Sequence, residues 1–176
     1  KVGQVILVFI IQFGGIGLIM LIGFFWLSTG KNISYKQRKF IVTDQNQVKT
    51  SQVVKLVKDV LIILFAIEAI MFIVMGLYLW GNDYFSFGES FFQSMFLTIS
   101  MTANAGFDIT GDSLFRYAND YPFQLMAMFL MFTGAVGFWP LVELKDWFVS
   151  KRKGIKFEFS MFSKILVFAH VSLWIL

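Results

Sequence analysis

Residues 86–111, SFGESFFQSMFLTISMTANAGFDITG, contain the segment that decides the fold. Its apolar part, Phe87 to Met101, would form roughly 22 Å of helix at about 1.5 Å per residue, too short for the roughly 30 Å hydrocarbon core of a bilayer. Ser86 and Glu89 have the S-x-x-E spacing of a capping box, which predicts a helix that begins here. Small residues follow in the run NAGF at 104–107. A short capped helix followed by such a loop is typical of a re-entrant segment, which enters a membrane and returns to the same side.

The composition is that of a membrane-embedded protein. Hydrophobic residues make up 57% of the chain and charged residues 15%, against roughly 45–50% and 25% in average soluble domains. The absence of cysteine excludes disulfides, thiol nucleophiles and thiolate metal sites, and the single histidine, His170, leaves little for a zinc or haem cluster. We therefore expect no covalent or organic cofactor. Because apolar runs reach both ends of the sequence, we expect it to be a fragment of a longer polypeptide.

Three apolar runs are long enough to cross a bilayer. We predict them as an inner helix at 1–29, an outer helix at 59–80 and a second inner helix at 120–147. The first contains Gly14-Gly15-Ile16-Gly17, and small residues at such positions let another backbone approach closely in a membrane. A packing face is favoured here over a hinge or gate.

Polar residues and a proline mark particular points of the outer helix and the second inner helix. Glu68 lies near the middle of the outer helix, where an ionisable residue indicates a functional group facing the bundle interior or, equally, a protonated or hydrogen-bonded structural group. Asp120 is the expected N-cap of the second inner helix, with Pro122 in its first turn. Trp139-Pro140 predicts a bend about two thirds of the way along, because proline removes a backbone hydrogen bond.

The distribution of basic residues predicts the topology. Segments 31–58 and 145–164 hold thirteen of the fifteen Lys and Arg residues. By the positive-inside rule the basic loops 30–58 and 145–164 are cytoplasmic, and the segment 81–120 between the two intervening spans is extracellular. The apolar helix within that segment must then enter the membrane and return, because a full crossing would leave one basic loop on each side. The chain is accordingly expected in the cell membrane as a multi-pass protein, with the lipid bilayer as its partner.

An internal repeat relates the two inner helices. FGGIGL at 13–18 and TGAVGF at 133–138 have the same pattern of glycine, small, β-branched, glycine and apolar residues, offset by 120 positions. The predicted fold is an all-α integral membrane protein built from repeated units of helix, re-entrant pore loop and helix, as in potassium channels. We expect the following organisation: inner helix of repeat 1 at 1–29, cytoplasmic basic loop at 30–58, complete repeat 2 at 59–150 with its pore helix and loop at 86–111, and a cytoplasmic loop with the start of repeat 3 at 151–176.

The loop after the short helix has the chemistry of a cation site. The C-terminal end of a helix carries partial negative charge, and the residues that follow have small side chains that let backbone carbonyl oxygens replace the water of a potassium ion. The predicted ion-binding residues are Thr102, Ala103, Asn104, Ala105 and Gly106. Asp108 and Asp112 just beyond them would raise the local cation concentration at an outer mouth. The alternative is that Gly106 only caps a helix in an external loop and that the acids are a solvated face.

These residues resemble the membrane subunits of the Trk/Ktr/HKT potassium transporter superfamily, most closely the bacterial Ktr-type subunit, over essentially the whole chain. Ser100-Met101-Thr102 followed by Asn104-Ala105-Gly106-Phe107 is similar to the second of that family's four pore loops, with Gly106 as the filter glycine. Ala103 departs from the threonine or asparagine of many relatives. The resemblance implies a pseudo-fourfold arrangement in the full-length chain, a homodimer, and a cytoplasmic nucleotide-binding regulatory ring that the basic loops would contact.

Potassium uptake through a backbone-carbonyl filter is the function that these features favour, with potassium as the transported ion and sodium coupling left open. A non-conducting membrane assembly subunit, or another cation transporter with re-entrant loops, is the alternative. No nucleic-acid partner is expected. A membrane enzyme would need a nucleophile beside a base, and the spacing of His170 and Ser172 points these side chains apart on a helix.

Overall fold

A computed structural model describes residues 2–17 and 53–175, together with the single positions 25 and 39. These residues form six α-helices and one short 3₁₀-helix. The helices are α1 (Val2–Ile16), α2 (Val53–Gly81), α3 (Phe87–Thr102), the 3₁₀-helix (Phe115–Tyr117), α4 (Tyr121–Ala135), α5 (Phe138–Arg152) and α6 (Met161–Ile175). The all-helical prediction is confirmed for the described residues. The rest of the predicted inner helix after residue 17, and most of the basic loop 30–58, lie outside the described residues.

The chain divides into two units, and α2 contributes to both. The first unit comprises Lys1–Leu18 and Leu64–Ala135, and the second comprises Ile19–Ile63 and Val136–Leu176. The helix Lys55–Gly81 is long and apolar enough to cross a membrane, while α4 and α5 reach that length only if they are counted together across the break between them. Shorter apolar helices occupy Val2–Gly15 and Met161–Ser172.

Helix α3 lies at the centre of the first unit. One side of it joins a buried cluster with α2, α4 and the 3₁₀-helix, made of Met71, Met75, Leu79, Leu97, Met101, Tyr117, Phe123, Ala127 and Leu130. Another side, at Phe96, packs against Val8 and Ile11 of α1. Close packing of these side chains holds in place a helix that is too short to span a bilayer, because van der Waals contacts stabilise helix association in a membrane.

The first turns of α3 and α4 differ in how they are capped. Ser86 is the N-cap residue of α3, but its hydroxyl makes no capping hydrogen bond, so the predicted capping box is wrong. The start of α3 is held instead by Ser90, whose N–H donates to the Ser86 carbonyl and whose hydroxyl donates to the Phe85 carbonyl. The predicted cap of α4 is confirmed, because the Asp120 Oδ1 accepts a hydrogen bond from the Phe123 N–H at 3.1 Å.

The predicted second inner helix consists of two helices. Helix α4 ends at Ala135 and α5 begins at Phe138, with Gly137 between them at a φ of 81°. The bend predicted at Trp139-Pro140 is therefore misplaced. Pro140 lies in the first turn of α5, where its missing N–H would have had no partner within the helix. Glycine rather than proline causes the break, because it adopts a left-handed conformation without steric cost.

In the second unit, α5 is joined to the start of α6 by a buried carboxylate. Glu143 of α5 accepts hydrogen bonds from Trp139 Nε1 at 2.9 Å and from the Ser160 N–H at 3.1 Å. Ser160 directly precedes α6, so this negative charge lies at the helix end whose N–H groups lack partners. The same unit contains an ion pair between Lys145 Nζ and Asp59 Oδ1 at 2.5 Å.

Candidate ion-binding loop

The loop after α3 begins as a tight turn. The N–H groups of Ala103, Asn104 and Ala105 donate to the carbonyls of residues 99, 101 and 100. Asn104 and Gly106 both adopt left-handed conformations, with φ of 50° and 70°. Two such residues within three positions reverse the chain at the helix end, which asparagine and glycine tolerate better than other residues.

Ser100 holds the far side of the loop. Its hydroxyl donates to the Phe107 carbonyl at 2.6 Å and accepts a hydrogen bond from the Phe107 N–H at 2.9 Å. A single side chain, 1% exposed, thus satisfies both backbone groups of the residue where the loop leaves the turn. Ser100 belongs to the pattern that resembles the family's pore loop, but the sequence does not reveal its role, because a serine within an apolar helix gives no signal of its partner.

The carbonyl groups of the five predicted ion-binding residues remain available. Within the part of the chain that the structure describes, none of the carbonyl oxygens from Thr102 to Gly106 accepts a hydrogen bond. The Thr102 hydroxyl donates to the Thr98 carbonyl at 2.8 Å. The hydrogen of the Thr102 hydroxyl is thus used within α3, and the other four side chains of the predicted site are small or amide-bearing.

Glycines of two different helices approach the loop. A Cβ atom added to Gly134 of α4 would overlap the Thr102 carbonyl oxygen and lie 2.7 Å from Asn104 Nδ2. A Cβ atom added to Gly15 of α1 would lie 2.5 Å from the Ala103 Cβ. Both glycines belong to the repeated motifs, whose role as packing faces is thus visible at these two positions. The small side chain of Ala103 is required by the same contact with Gly15.

The two motifs also share a backbone conformation. Gly17 and Gly137, which are equivalent under the offset of 120 residues, have φ of 83° and 81°. Helix α1 ends at Ile16 and α4 ends at Ala135, next to these glycines. The matching torsion angles are independent of the sequence pattern from which the repeat was predicted.

The two predicted outer acids lie beyond the loop in a small hydrogen-bonded cluster. The Thr110 hydroxyl lies 2.9 Å from Asp108 Oδ2 and 2.5 Å from Asp112 Oδ1, and Arg116 Nε donates to Asp112 Oδ2 at 2.7 Å. The hydrogen bonds from Thr110 and Arg116 hold the pKa of Asp112 below its ordinary value. Arg116 neutralises part of the Asp112 charge, so Asp108 is the stronger candidate for attracting cations.

A cavity of about 190 Å³ lies beside the loop in the first unit. Its walls include Ser100, Asn104, Gly106, Phe107 and Asp108. The loop therefore has open space on one side and the packed core of α3 and α4 on another. The described residues contain no group of three or more His, Cys, Asp and Glu side chains that could hold a metal ion.

A carboxylate near the other end of α3 was assigned only a capping role from the sequence. Asp120 accepts hydrogen bonds from Tyr78 Oη at 2.5 Å and Tyr84 Oη at 2.8 Å, besides capping α4. Burial acts to raise the pKa of Asp120, but the hydrogen bonds from Tyr78, Phe123 and Tyr84 together hold that pKa below its ordinary value. The spacing of these residues along the chain, 42 and 36 positions, explains why the sequence alone did not reveal the contact.

The remaining candidate residues lie elsewhere. Glu68 is buried in α2, and both its carboxylate oxygens are within 3.2 Å of Gln12 Nε2 in α1. In α6, the His170 Nδ1 lies 2.9 Å from the Leu166 carbonyl and the Ser172 hydroxyl donates to the Phe168 carbonyl. Each of these two polar side chains is thus bonded to its own helix four residues back.

Comparison with known sequences identifies the family. The TrkH family, described as cation transport proteins, matches residues 1–175. The chain belongs to the TrkH family. The resemblance inferred from the pore-loop residues is thereby confirmed, and the family is one of membrane transporters rather than enzymes.

Three curated relatives of this TrkH-family chain are named for potassium uptake. Ktr system potassium uptake protein D of Bacillus subtilis (strain 168) is 42% identical over 172 residues, covering 98% of this chain and 38% of the relative. Ktr system potassium uptake protein B of the same organism is 30% identical over 165 residues, covering 94% and 35%. Potassium/sodium uptake protein NtpJ of Enterococcus hirae is 28% identical over 136 residues, covering 77% and 30%. The chain thus spans about a third of the length of these relatives, from 30% to 38%.

Proposed function

We propose that this segment supplies one pore loop of a potassium-uptake pathway, in which the carbonyl oxygens of Thr102 to Gly106 bind the dehydrated ion. The observation that carries the proposal is the set of five consecutive carbonyls that accept no hydrogen bond within the described residues. Thr102 is buried, Ala103 and Ala105 are half-buried, and Asn104 and Gly106 are exposed. Carbonyl oxygens that are accessible and have no internal partner can replace the water of a cation that reaches them, which supports the proposed coordination.

The physical chemistry of the loop suits a large monovalent cation. Carbonyl dipoles supply partial negative charge without the strong, localised attraction of a carboxylate, so an ion can enter and leave. The C-terminal end of α3 adds partial negative charge at the same place. The five site residues include no charged side chain, and Asp108 and Asp112 lie just beyond them, where they act on ion concentration rather than coordination.

The repeat architecture is part of this proposal. Gly17 and Gly137 both have a positive φ, 83° and 81°, which is in keeping with two equivalent inner helices. We propose that α1 belongs to one repeat, that 59–150 forms the next, and that a third begins within 151–176, with four such units around one ion path in the full-length protein. The basic loops 30–58 and 145–164 would face the cytoplasm and 81–120 the outside. A homodimer and a cytoplasmic nucleotide-binding ring are proposed as partners, and the relative named for both potassium and sodium keeps sodium coupling open.

Replacement of Gly106 by serine tests the filter. In the full-length chain, expressed in cells that lack potassium uptake, Gly106→Ser should reduce potassium uptake at least tenfold and lower the preference for K⁺ over Na⁺. The reason is that a Cβ atom at a φ of 70° strains the backbone that aims the carbonyls.

Gly111→Ser is the matched control. Gly111 has a φ of 82° and the same open surroundings as Gly106, but it lies outside the five carbonyls. It should leave the ion preference unchanged. Equal uptake and equal ion preference in Gly106→Ser and the unmodified chain, at equal abundance in the membrane, would contradict the proposed filter.

A non-conducting assembly subunit is the second candidate, favoured by the glycine contacts of Gly15 and Gly134, which also serve helix pairing in proteins without a pore. It predicts that the full-length chain fails to restore growth of uptake-deficient cells at low potassium, whereas the proposed transporter restores it.

A further inference from the structure

Glu68 and Gln12 form a polar pair between two helices of the first unit that the filter does not use. Gln12 Nε2 lies 3.2 Å from one carboxylate oxygen of Glu68 and 3.1 Å from the other. Glu68 is 8% exposed, and it lies in the helix that is long enough to cross a membrane. No other described side chain is hydrogen-bonded to this carboxylate.

The pair lacks one hydrogen-bond donor. Gln12 Oε1 is buried and has no hydrogen-bond partner among the described residues. A carboxylate can only accept, so an ionised Glu68 leaves this amide oxygen unsatisfied and also buries a charge with a single neutral donor, which is costly in a membrane. A proton on Glu68 supplies the missing O–H donor and removes the charge. A 180° rotation exchanges the two ends of the Gln12 amide and places Oε1 beside the carboxyl group, where it can accept a hydrogen bond from the protonated acid.

The pair is connected to the pore loop through α1. Gln12 and Gly15 are three residues apart, so they lie on neighbouring positions of one helix face. Gly15 is the residue whose Cβ would lie 2.5 Å from the Ala103 Cβ, within the proposed filter. The hydrogen bonds between Gln12 and Glu68 therefore help to hold α1 in place, and α1 is the helix whose Gly15 packs against Ala103 of the loop.

We propose that Glu68 is a positioning residue for ion selectivity: as a neutral acid it pairs with the Gln12 amide and holds α1 against Ala103. This inference rests on the proposed function, since it assigns Glu68 a part in keeping the carbonyls of that loop at the spacing that suits potassium. It goes beyond the filter because Glu68 touches none of the ion-binding residues and acts only through α1.

Four variants of the full-length chain test the pairing by their K⁺/Na⁺ preference in uptake assays at equal membrane abundance. Glu68→Gln keeps a neutral group with a donor and an acceptor, and it should retain the preference within about twofold. Glu68→Leu and Gln12→Leu each leave one buried polar group unpaired, so each should lower the preference about tenfold. The double variant with both leucines should lose less than the two single effects combined, because no polar group is left unpaired.

Asp59→Leu is the control for a general effect of removing a buried acid. Asp59 is 6% exposed and lies on the same helix, but its ion pair is with Lys145, in the second unit. It should lower the abundance or thermal stability of the protein without changing ion preference. A change of preference in Asp59→Leu as large as that in Glu68→Leu would overturn the specific role of Glu68.

Two further results would overturn the inference, and each is distinguishable from failure of the proposed function. The first is a K⁺/Na⁺ preference that Glu68→Leu leaves unchanged, and the second is a loss of preference in Glu68→Gln as large as that in Glu68→Leu. Either result contradicts a neutral positioning acid, provided that Gly106→Ser still alters the preference. If the filter proposal itself is wrong, Gly106→Ser and the Glu68 variants all leave ion preference unchanged.

Discussion

Two ends of α3 are held in place by different chemistry. Near its N-terminal end, the Asp120 carboxylate accepts hydrogen bonds from Tyr78, Tyr84 and the Phe123 N–H. At its C-terminal end, the described contacts involve no charged side chain: the Ser100 hydroxyl and close contacts with glycines hold the loop. The difference shows where charge is acceptable in this fold. A carboxylate gives strong hydrogen bonds near one end of the helix, whereas at the loop it would compete with the carbonyls for any cation.

The C-terminal end of α3 is also sensitive to the size of the side chains that pack against the loop. Hydrogen bonds adjust by a few tenths of an ångström, but contacts between backbone atoms do not, since packed interiors have almost no spare volume. The glycine contacts therefore restrict the position of the loop more tightly than the hydrogen bonds of Asp120 restrict the position of the N-terminal end of α3. Substitutions at the two ends should separate these effects, with ion selectivity changing at the loop and thermal stability changing near Asp120.

Gly134→Ala should have the largest effect, because the added Cβ would overlap the Thr102 carbonyl oxygen. Either α4 or the loop must move, and overpacking of this kind costs roughly 1–3 kcal/mol or more. We expect potassium uptake by the full-length chain to fall more than tenfold at equal membrane abundance. Gly88→Ala is the control: that glycine lies in α3 with nothing within 4 Å of an added Cβ, and uptake should be unaffected. Normal uptake by Gly134→Ala would mean that the glycine contact does not position the loop.

The loop was largely predictable from the sequence because its signals are local. The length of the apolar run, the small residues at 102–106 and the glycine at 106 all lie within one stretch, so a helix followed by a turn could be predicted without knowing any partner. The structure places that helix at Phe87–Thr102 with the turn directly after it. The glycine motifs were also recognisable, although the sequence could not show that Gly15 and Gly134 approach adjacent residues of the same loop.

What the sequence could not provide were the long-range polar partners. Asp120 was predicted as a cap, and its bonds to two tyrosines far away in the chain needed the fold to bring them together. The same is true of Glu68, whose partner Gln12 is 56 residues away. The break of the second inner helix was misplaced for a different reason. Both glycine and proline disrupt helices, so the sequence does not show whether Gly137 or Pro140 interrupts this one. In the structure the break is at Gly137, and Pro140 lies in the first turn of the next helix.

Ser100→Ala should have the next largest effect at the loop. It removes the group that pairs with both the N–H and the carbonyl of Phe107, and an unsatisfied buried backbone group costs about 1–3 kcal/mol. We expect the K⁺/Na⁺ preference to fall about tenfold, with a smaller loss of uptake rate than in Gly134→Ala. Ser94→Ala is a suitable control in the same helix, since its hydroxyl donates to the Phe72 carbonyl, away from the loop. Equal ion preference in Ser100→Ala and the unmodified chain would show that the loop keeps its shape without this hydroxyl.

Asp120→Asn should have the smallest effect, and it should appear in stability rather than selectivity. Asparagine can still cap α4, but the tyrosines lose a charged acceptor, which we expect to cost about 1 kcal/mol.

The pKa of Asp120 in the folded state lies below its ordinary value, so the stabilising effect of the ionised carboxylate is fully present above the pKa that Asp120 has in the unfolded chain. That effect is lost as the pH falls through the folded-state pKa. Thermal unfolding midpoints of the purified full-length chain should therefore differ between the two proteins at neutral pH and converge in strong acid. Asp83→Asn, an acid that takes part in none of these hydrogen bonds, should show no such convergence. A change of K⁺/Na⁺ preference in Asp120→Asn would contradict the separation of the two ends, because it would mean that the loop responds to the charge near the far end of the helix.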